Sequence, residues 1–146
     1  MYRQWYSIER VWDLMEGYEN ILNIEYDYVA MLRNDVKYRS PMKNLTELSY
    51  SNDTHQKAVI PNFGKIANDR MFMGTRSNAK TWSKIRFPAI DNNCYKPKKE
   101  GWGLHGEYFM RDYILKQIPG VITKDDDICF YRIDDVGNLH AADCWS

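Results

Sequence analysis

Tyr26-Asp27-Tyr28-Val29-Ala30-Met31-Leu32, followed at once by Arg33-Asn34-Asp35, is the stretch on which the fold reading turns. It is a nearly unbroken apolar run of strand length, so it predicts a strand buried on both faces. In an open α/β sheet, ligands gather at the carboxyl ends of the strands. Asp35 therefore occupies a strand-tip position. A carboxylate there is a candidate ligand for a divalent cation, because hard cations prefer oxygen. The plainer alternative is a turn residue or an ion-pair partner of Arg33.

Upstream, Gln4 to Leu22 repeats its apolar residues at helical spacing. Trp5, Ile8, Trp12 and Met15 form one row, and Val11, Leu14, Tyr18 and Ile21 an adjacent one. Glu9, Asp13, Glu16 and Glu19 mark a side expected to face water. The pattern predicts an amphipathic helix with a wide apolar stripe packed on a sheet or helix.

Downstream, residues 39–57 read as a loop, and Ala58-Val59-Ile60 as a short strand stopped by Pro61. Met71-Phe72-Met73 is another brief apolar run, and Thr75 or Ser77 is placed to cap a helix reaching Ile85. Residues 86–103, with two prolines and two glycines, read as loop. Leu104 to Ile118 is a second helix, ended by Pro119-Gly120, and Ile128 to Ile133 a last strand. There is no internal repeat. Four short strands is a thin count for a doubly wound domain. The expected fold is α/β: a partial Rossmann-like sheet of few strands flanked by amphipathic helices, as one domain over 1–146.

The charge balance limits the partners. Twenty basic and twenty acidic residues cancel, which argues against bulk nucleic-acid binding. Residues 65–99 nonetheless carry nine basic and two acidic residues, or +7. Such a segment suits a small anionic ligand, or else a solvated basic loop. Cys94, Cys129 and Cys144 show no metal-ligand spacing and no disulfide framework, so a reducing, cytoplasmic setting is expected. No apolar run reaches the roughly 18–20 residues of a membrane span, and no signal peptide is apparent at Met1.

Two further constellations carry chemistry. Asn68-Asp69-Arg70 precedes Met71-Phe72-Met73-Gly74. If the strand began there, Asp69 and Arg70 would point to opposite faces. Gly101-Trp102-Gly103-Leu104-His105-Gly106-Glu107 opens a helix, where amide groups attract anions and an acid also suits the helix dipole. Asp125-Asp126-Asp127 reads as a solvated turn.

The order of these pieces resembles a family of GT-A-like glycosyltransferases. The matching residues are Gln4-Trp5-Tyr6, Tyr26-Asp27-Tyr28-Val29, Arg33-x-Asp35-Val36, Asn68-Asp69-Arg70-Met71-Phe72-x-Gly74 and His105-x-Glu107, across about residues 4–132. The resemblance implies a nucleotide-sugar donor, a glycan or glycoconjugate acceptor and Mn²⁺ or Mg²⁺. Asp35 would correspond to the metal-binding acid, although Arg33 stands where a paired acid is usual. Asp69 and Glu107 would be catalytic acids, and Arg33, Asn68, Arg70, His105 and Trp102 would bind substrate. Relatives carry a preceding nucleotide-binding segment. The chain is thus expected to be a truncated or inactive relative, or one completed by a second chain. Two other readings remain: a non-catalytic carbohydrate-binding or assembly module, and a metal nuclease using Asp35 and Lys37.

Overall fold

The computed structural model describes residues 2–39, 57–62, 67–92, 95, 104–125 and 128–142. Helix α1 runs Tyr2–Leu22. Asn23, with φ 52°, adopts the left-handed conformation that ends it, and the Ile24 amide returns to the Glu19 carbonyl at 3.1 Å. Strands β1 (Tyr28–Met31), β2 (Val36–Tyr38), β3 (Lys57–Pro61) and β4 (Phe72–Thr75) follow. Next come α2 (Arg76–Lys84) and α3 (Arg86–Asp91). Then α4 (Gly106–Phe109), a π-helical turn (Met110–Ile114) and α5 (Leu115–Gln117) form one continuous rod. Strands β5 (Val121–Asp125), β6 (Phe130–Ile133) and β7 (Leu139–Ala142) complete the described chain.

Two small sheets form. The first has the order β1-β4-β3-β5, with β3 and β5 parallel and the other pairs antiparallel. The second is β2-β6-β7, antiparallel throughout. Alternation along the strands explains the layering. Val29, Ala58, Ile60 and Phe72 point to one side of the first sheet, into a core shared with Trp5, Trp12, Trp82 and Phe109 of the helices. Val59 and Met73 point to the other side, with Met71, Ile128 and Phe130.

Several expectations are corrected. The stretch 26–32 does hold a strand, but β1 is an edge strand and only Val29 in it is buried. The covered central positions belong to β3 and β4. Burial of an apolar run depends on its pairing partners, which lie far away in sequence. Residues 86–91 are helical rather than loop, since Pro88 sits in the first turn, where no intrahelical amide bond is lost. The acidic tract is partly accounted for: Asp125 closes β5, while Asp126 and Asp127 lie outside the described residues. Cys129 is disulfide-bonded, which corrects the reading of three reduced cysteines.

Helix α1 is oriented differently from its periodicity. Trp5 and Trp12 are buried as expected, but Leu14 and Ile21 of the second apolar row are 70% and 81% exposed. The acidic row faces α2 instead. Lys84 Nζ meets Asp13 at 2.7 Å and Glu9 at 3.0 Å, Lys80 Nζ meets Glu16 at 2.8 Å, and Arg76 meets Glu19 at 2.7 Å. Three of the nine basic residues of 65–99, namely Arg76, Lys80 and Lys84, are therefore matched by α1 rather than left for a ligand.

The Glu19 end of this zipper is the deepest. Its side chain is 3% exposed, and it accepts from Arg76 Nε at 3.0 Å and from the Tyr26 amide at 2.9 Å. Arg76 also lies over the Trp12 ring, 5.4 Å from its centroid. The hydrogen bond from Arg76 holds the Glu19 carboxyl below its ordinary value of 4.5. Breaking a deep ion pair costs about 3–5 kcal/mol, and one-fifth exposure of Arg76 reduces that, so Glu19→Gln is expected to cost about 2–3 kcal/mol in urea melts at pH 7. A depressed folded-state value means the contribution is complete above about pH 4.5 and lost as pH falls through the folded value. The gap between wild type and variant should narrow in melts below pH 4.5.

Candidate functional site

A cleft of about 650 Å³ opens where α1 crosses the carboxyl end of β1 and the approach to β4. That volume is within the usual small-molecule range of about 300–1,000 Å³. Gln4, Ser7, Ile8 and Val11 of α1 form one wall, and Phe72 and Trp82 belong to its apolar lining. Their rings stack at 4.6 Å, which fixes the indole plane. Arg33, Asn34, Asp35, Asp69 and Arg70 supply the charged and polar groups.

Local geometry delivers these side chains. β1 ends at Met31, so residues 33–35 turn out of the sheet before β2 begins at Val36. β4 begins only at Phe72, and the preceding chain bends at Arg70. Buried Asn68 shapes that bend by accepting the Arg70 amide in its side-chain oxygen at 3.0 Å. Asp69 and Arg70 therefore line the same cleft, although strand alternation predicted opposite faces.

The two aspartates differ in chemistry. Asp35 accepts both arms of the Arg33 fork, Nε at 2.7 Å and Nη2. This pairing holds the Asp35 carboxyl below, and the Arg33 guanidinium above, their ordinary values. Asp69 is half-buried and has no hydrogen bond or ion pair among the described residues. It lies in the electrostatic field of Arg33, Arg70 and Arg86. Burial lowers the proton affinity of Arg70, with Arg132 and Arg33 as nearby like charges and Asp69 and Glu107 opposing.

The other expected residues are more scattered. Glu107 is half-buried in the first turn of α4 and acts on Arg70 electrostatically, but it does not line the cleft. His105 is exposed at the N-cap of α4, its ring 4.8 Å from that of Tyr108, and lies outside the cleft wall. Trp102 lies outside the described residues. Lys37 is exposed on β2, opposite Tyr131. Sequence reasoning missed Trp82, Arg86 and Arg132. Arg132 becomes a neighbour of the 33–35 turn only because β6 pairs with β2, placing it opposite Val36.

A cation at Asp35 needs oxygen ligands with free lone pairs. Both Asp35 oxygens already face the Arg33 guanidinium, whose positive charge opposes a second cation there, and no group of three His, Cys, Asp or Glu is placed to hold a metal ion among the described residues. Among the described residues, the donor set around Asp35 does not fit Mn²⁺ or Mg²⁺ in this arrangement. No described helix is long and apolar enough to cross a membrane. No family model, curated protein or solved structure matches the chain.

Proposed function

We propose that the cleft binds a sugar and that the chain is a glycosyltransferase-like protein, with Asp69 as the acid–base group. The observation that carries this reading is the half-buried Asp69 carboxylate, which has no hydrogen bond among the described residues and lines a cleft with both polar and apolar groups. The lining charges balance, two arginines against two aspartates, and this suits a largely uncharged, hydroxyl-rich ligand. Ile8 and Val11 of the α1 wall, with Met31 and Leu32, supply apolar contact, while Gln4, Ser7 and Asn34 supply amide and hydroxyl partners.

In the reaction, an acceptor hydroxyl oxygen attacks the anomeric carbon of a nucleotide sugar. Asp69 takes the hydroxyl proton as the new C–O bond forms. The nucleoside diphosphate leaves with the electron pair of the broken C–O bond. Arg70, next to Asp69 in the cleft lining, would supply positive charge to the leaving diphosphate. Asp35 holds Arg33 in place instead of a cation.

The test is a transfer assay with a panel of nucleotide sugars and simple glycoside acceptors, run with Mn²⁺ and with EDTA. Turnover that survives EDTA is the expected result. Absence of turnover together with absence of sugar binding by calorimetry would overturn the reading. The bidentate Arg33–Asp35 pair also favours a second reading, a carbohydrate-binding module that performs no chemistry. Sugar binding without turnover, insensitive to EDTA, would select it.

A further inference from the structure

Helix α1 carries a second apolar face that its own core does not use. Val11, Leu14, Tyr18 and Ile21 follow one another at steps of three, four and three residues, the spacing of a helix that packs along a partner helix. All four are more than half exposed, and Leu22 beside them is about half exposed. The core takes another side of α1 through Trp5 and Trp12, and the α2 cations take the acidic row. Gly17 lies between Leu14 and Ile21 along the edge of the stripe, in mid-helix, where glycine is markedly less favourable than alanine. A Cβ built there would meet nothing within 4 Å, so no neighbour within the chain calls for a glycine. A helix laid on the stripe from outside would, because a missing side chain lets two backbones approach.

Size and charge identify the occupant. The five exposed side chains present on the order of 600 Å² to solvent, the upper end for the largest apolar patch of a typical monomer. Covered on two copies, that makes about 1,200 Å², the lower bound of a specific interface. Residues 1–26 hold two basic and five acidic residues, which disfavours an anionic lipid surface. The stripe is instead complementary to itself. A second copy turned about a dyad near Glu16 sets Val11 opposite Ile21 and Leu14 opposite Tyr18, a smaller side chain against a larger one in each pair. Arg3 and Arg10 are exposed toward the start of α1, and Glu25 is exposed just past its end. Antiparallel copies bring these opposite charges together and align the helix dipoles favourably. A parallel pair would set Arg10 against Arg10.

We infer that α1 is a homodimer interface, with two copies of the chain packed antiparallel through Val11, Leu14, Tyr18 and Ile21. The inference does not depend on the sugar reading. Val11 also lines the cleft, so a second copy brings its own Ile21 to the rim of that site.

Sedimentation equilibrium of the whole chain over a concentration series is the first test. A monomer–dimer Kd of roughly 1–100 μM is expected for an interface at this end of the size range. Leu14→Lys and Tyr18→Glu should each raise that Kd tenfold or more. Circular dichroism and the melting point, read at dilutions where the wild type is monomeric, should barely move, because both positions are exposed. If Leu14→Lys does not fold, Ile21→Gln is read in its place. Mixed in equal amounts, the Leu14→Lys and Tyr18→Glu proteins should associate again, since the antiparallel register sets position 14 of one chain opposite position 18 of the other. A monomer mass well above the expected Kd, a dimer unmoved by these variants, or a mixture no tighter than its components would each overturn the inference. A wild-type chain that stays monomeric but sediments with phosphatidylcholine–phosphatidylserine vesicles would overturn it in favour of a lipid surface.

Discussion

Asp69→Asn is expected to lower the rate of sugar transfer by about 10²–10⁴-fold, the range that one positioned general base supplies. The substitution keeps the size of the side chain and removes its capacity to accept a proton. Asp69 sits in a bend before β4, outside any strand ladder, so no backbone pairing depends on it. The variant should therefore fold, with its melting point lowered by only a few degrees, and KM for the acceptor should change little. Steady-state kinetics alongside a melt separates the two effects. Asp35→Asn is the matched control. It weakens the Arg33 fork, so the loss should appear mainly in KM. Equal losses in kcat for the two variants would remove the distinction drawn between these acids.

The second large effect is expected at Trp82. Its ring is 1% exposed, stacks on Phe72 at 4.6 Å and carries the Arg86 guanidinium on its face. Trp82→Ala opens a void in the main core and strips the cation–π partner from a buried charge. Truncation of a buried aromatic costs about 3–5 kcal/mol. For a chain near this size that lowers the melting point by roughly 10–15 °C. Trp82→Phe keeps the stacking surface and should recover more than half of the loss. Because Trp82 backs the cleft from within the core, ligand affinity should fall with the fold in the Ala variant and return with it in the Phe variant. Calorimetric melts and binding titrations on the two proteins measure both components.

The sequence was legible where a local rule determines structure. Trp5, Trp12, Thr75 and the Pro119-Gly120 stop behave as spacing and capping chemistry require. The cleft was half legible. Arg33, Asp35, Asp69 and Arg70 were recognisable as short motifs, and the structure gathers them. Their pairing was not readable, because whether Arg33 satisfies Asp35 depends on how the chain turns after β1. Trp82 and Arg86 were hidden for different reasons. A tryptophan at helical spacing looks like any core residue, and Pro88 made the segment around Arg86 look like a loop. The facing of α1 was misread because two continuous stripes, one acidic and one apolar, competed for the inward position. The α2 cations, some sixty residues away, decided between them. The strands β2 and β5 owe their existence to non-local partners that no window of sequence contains, whereas β7 folds back on its near neighbour β6.

The zipper between α1 and α2 gives the cleft an indirect sensitivity. Gln4, Ser7, Ile8 and Val11 line the cavity from α1, on the same helix whose acids grip Arg76, Lys80 and Lys84. Dissolved electrolyte shields such partly exposed pairs over about 8–10 Å at ordinary ionic strength. A brine that never touches an uncharged guest would still loosen the rear mounting of one wall. Affinity for a neutral molecule would then fall with added salt, a response usually taken as the mark of a charged one.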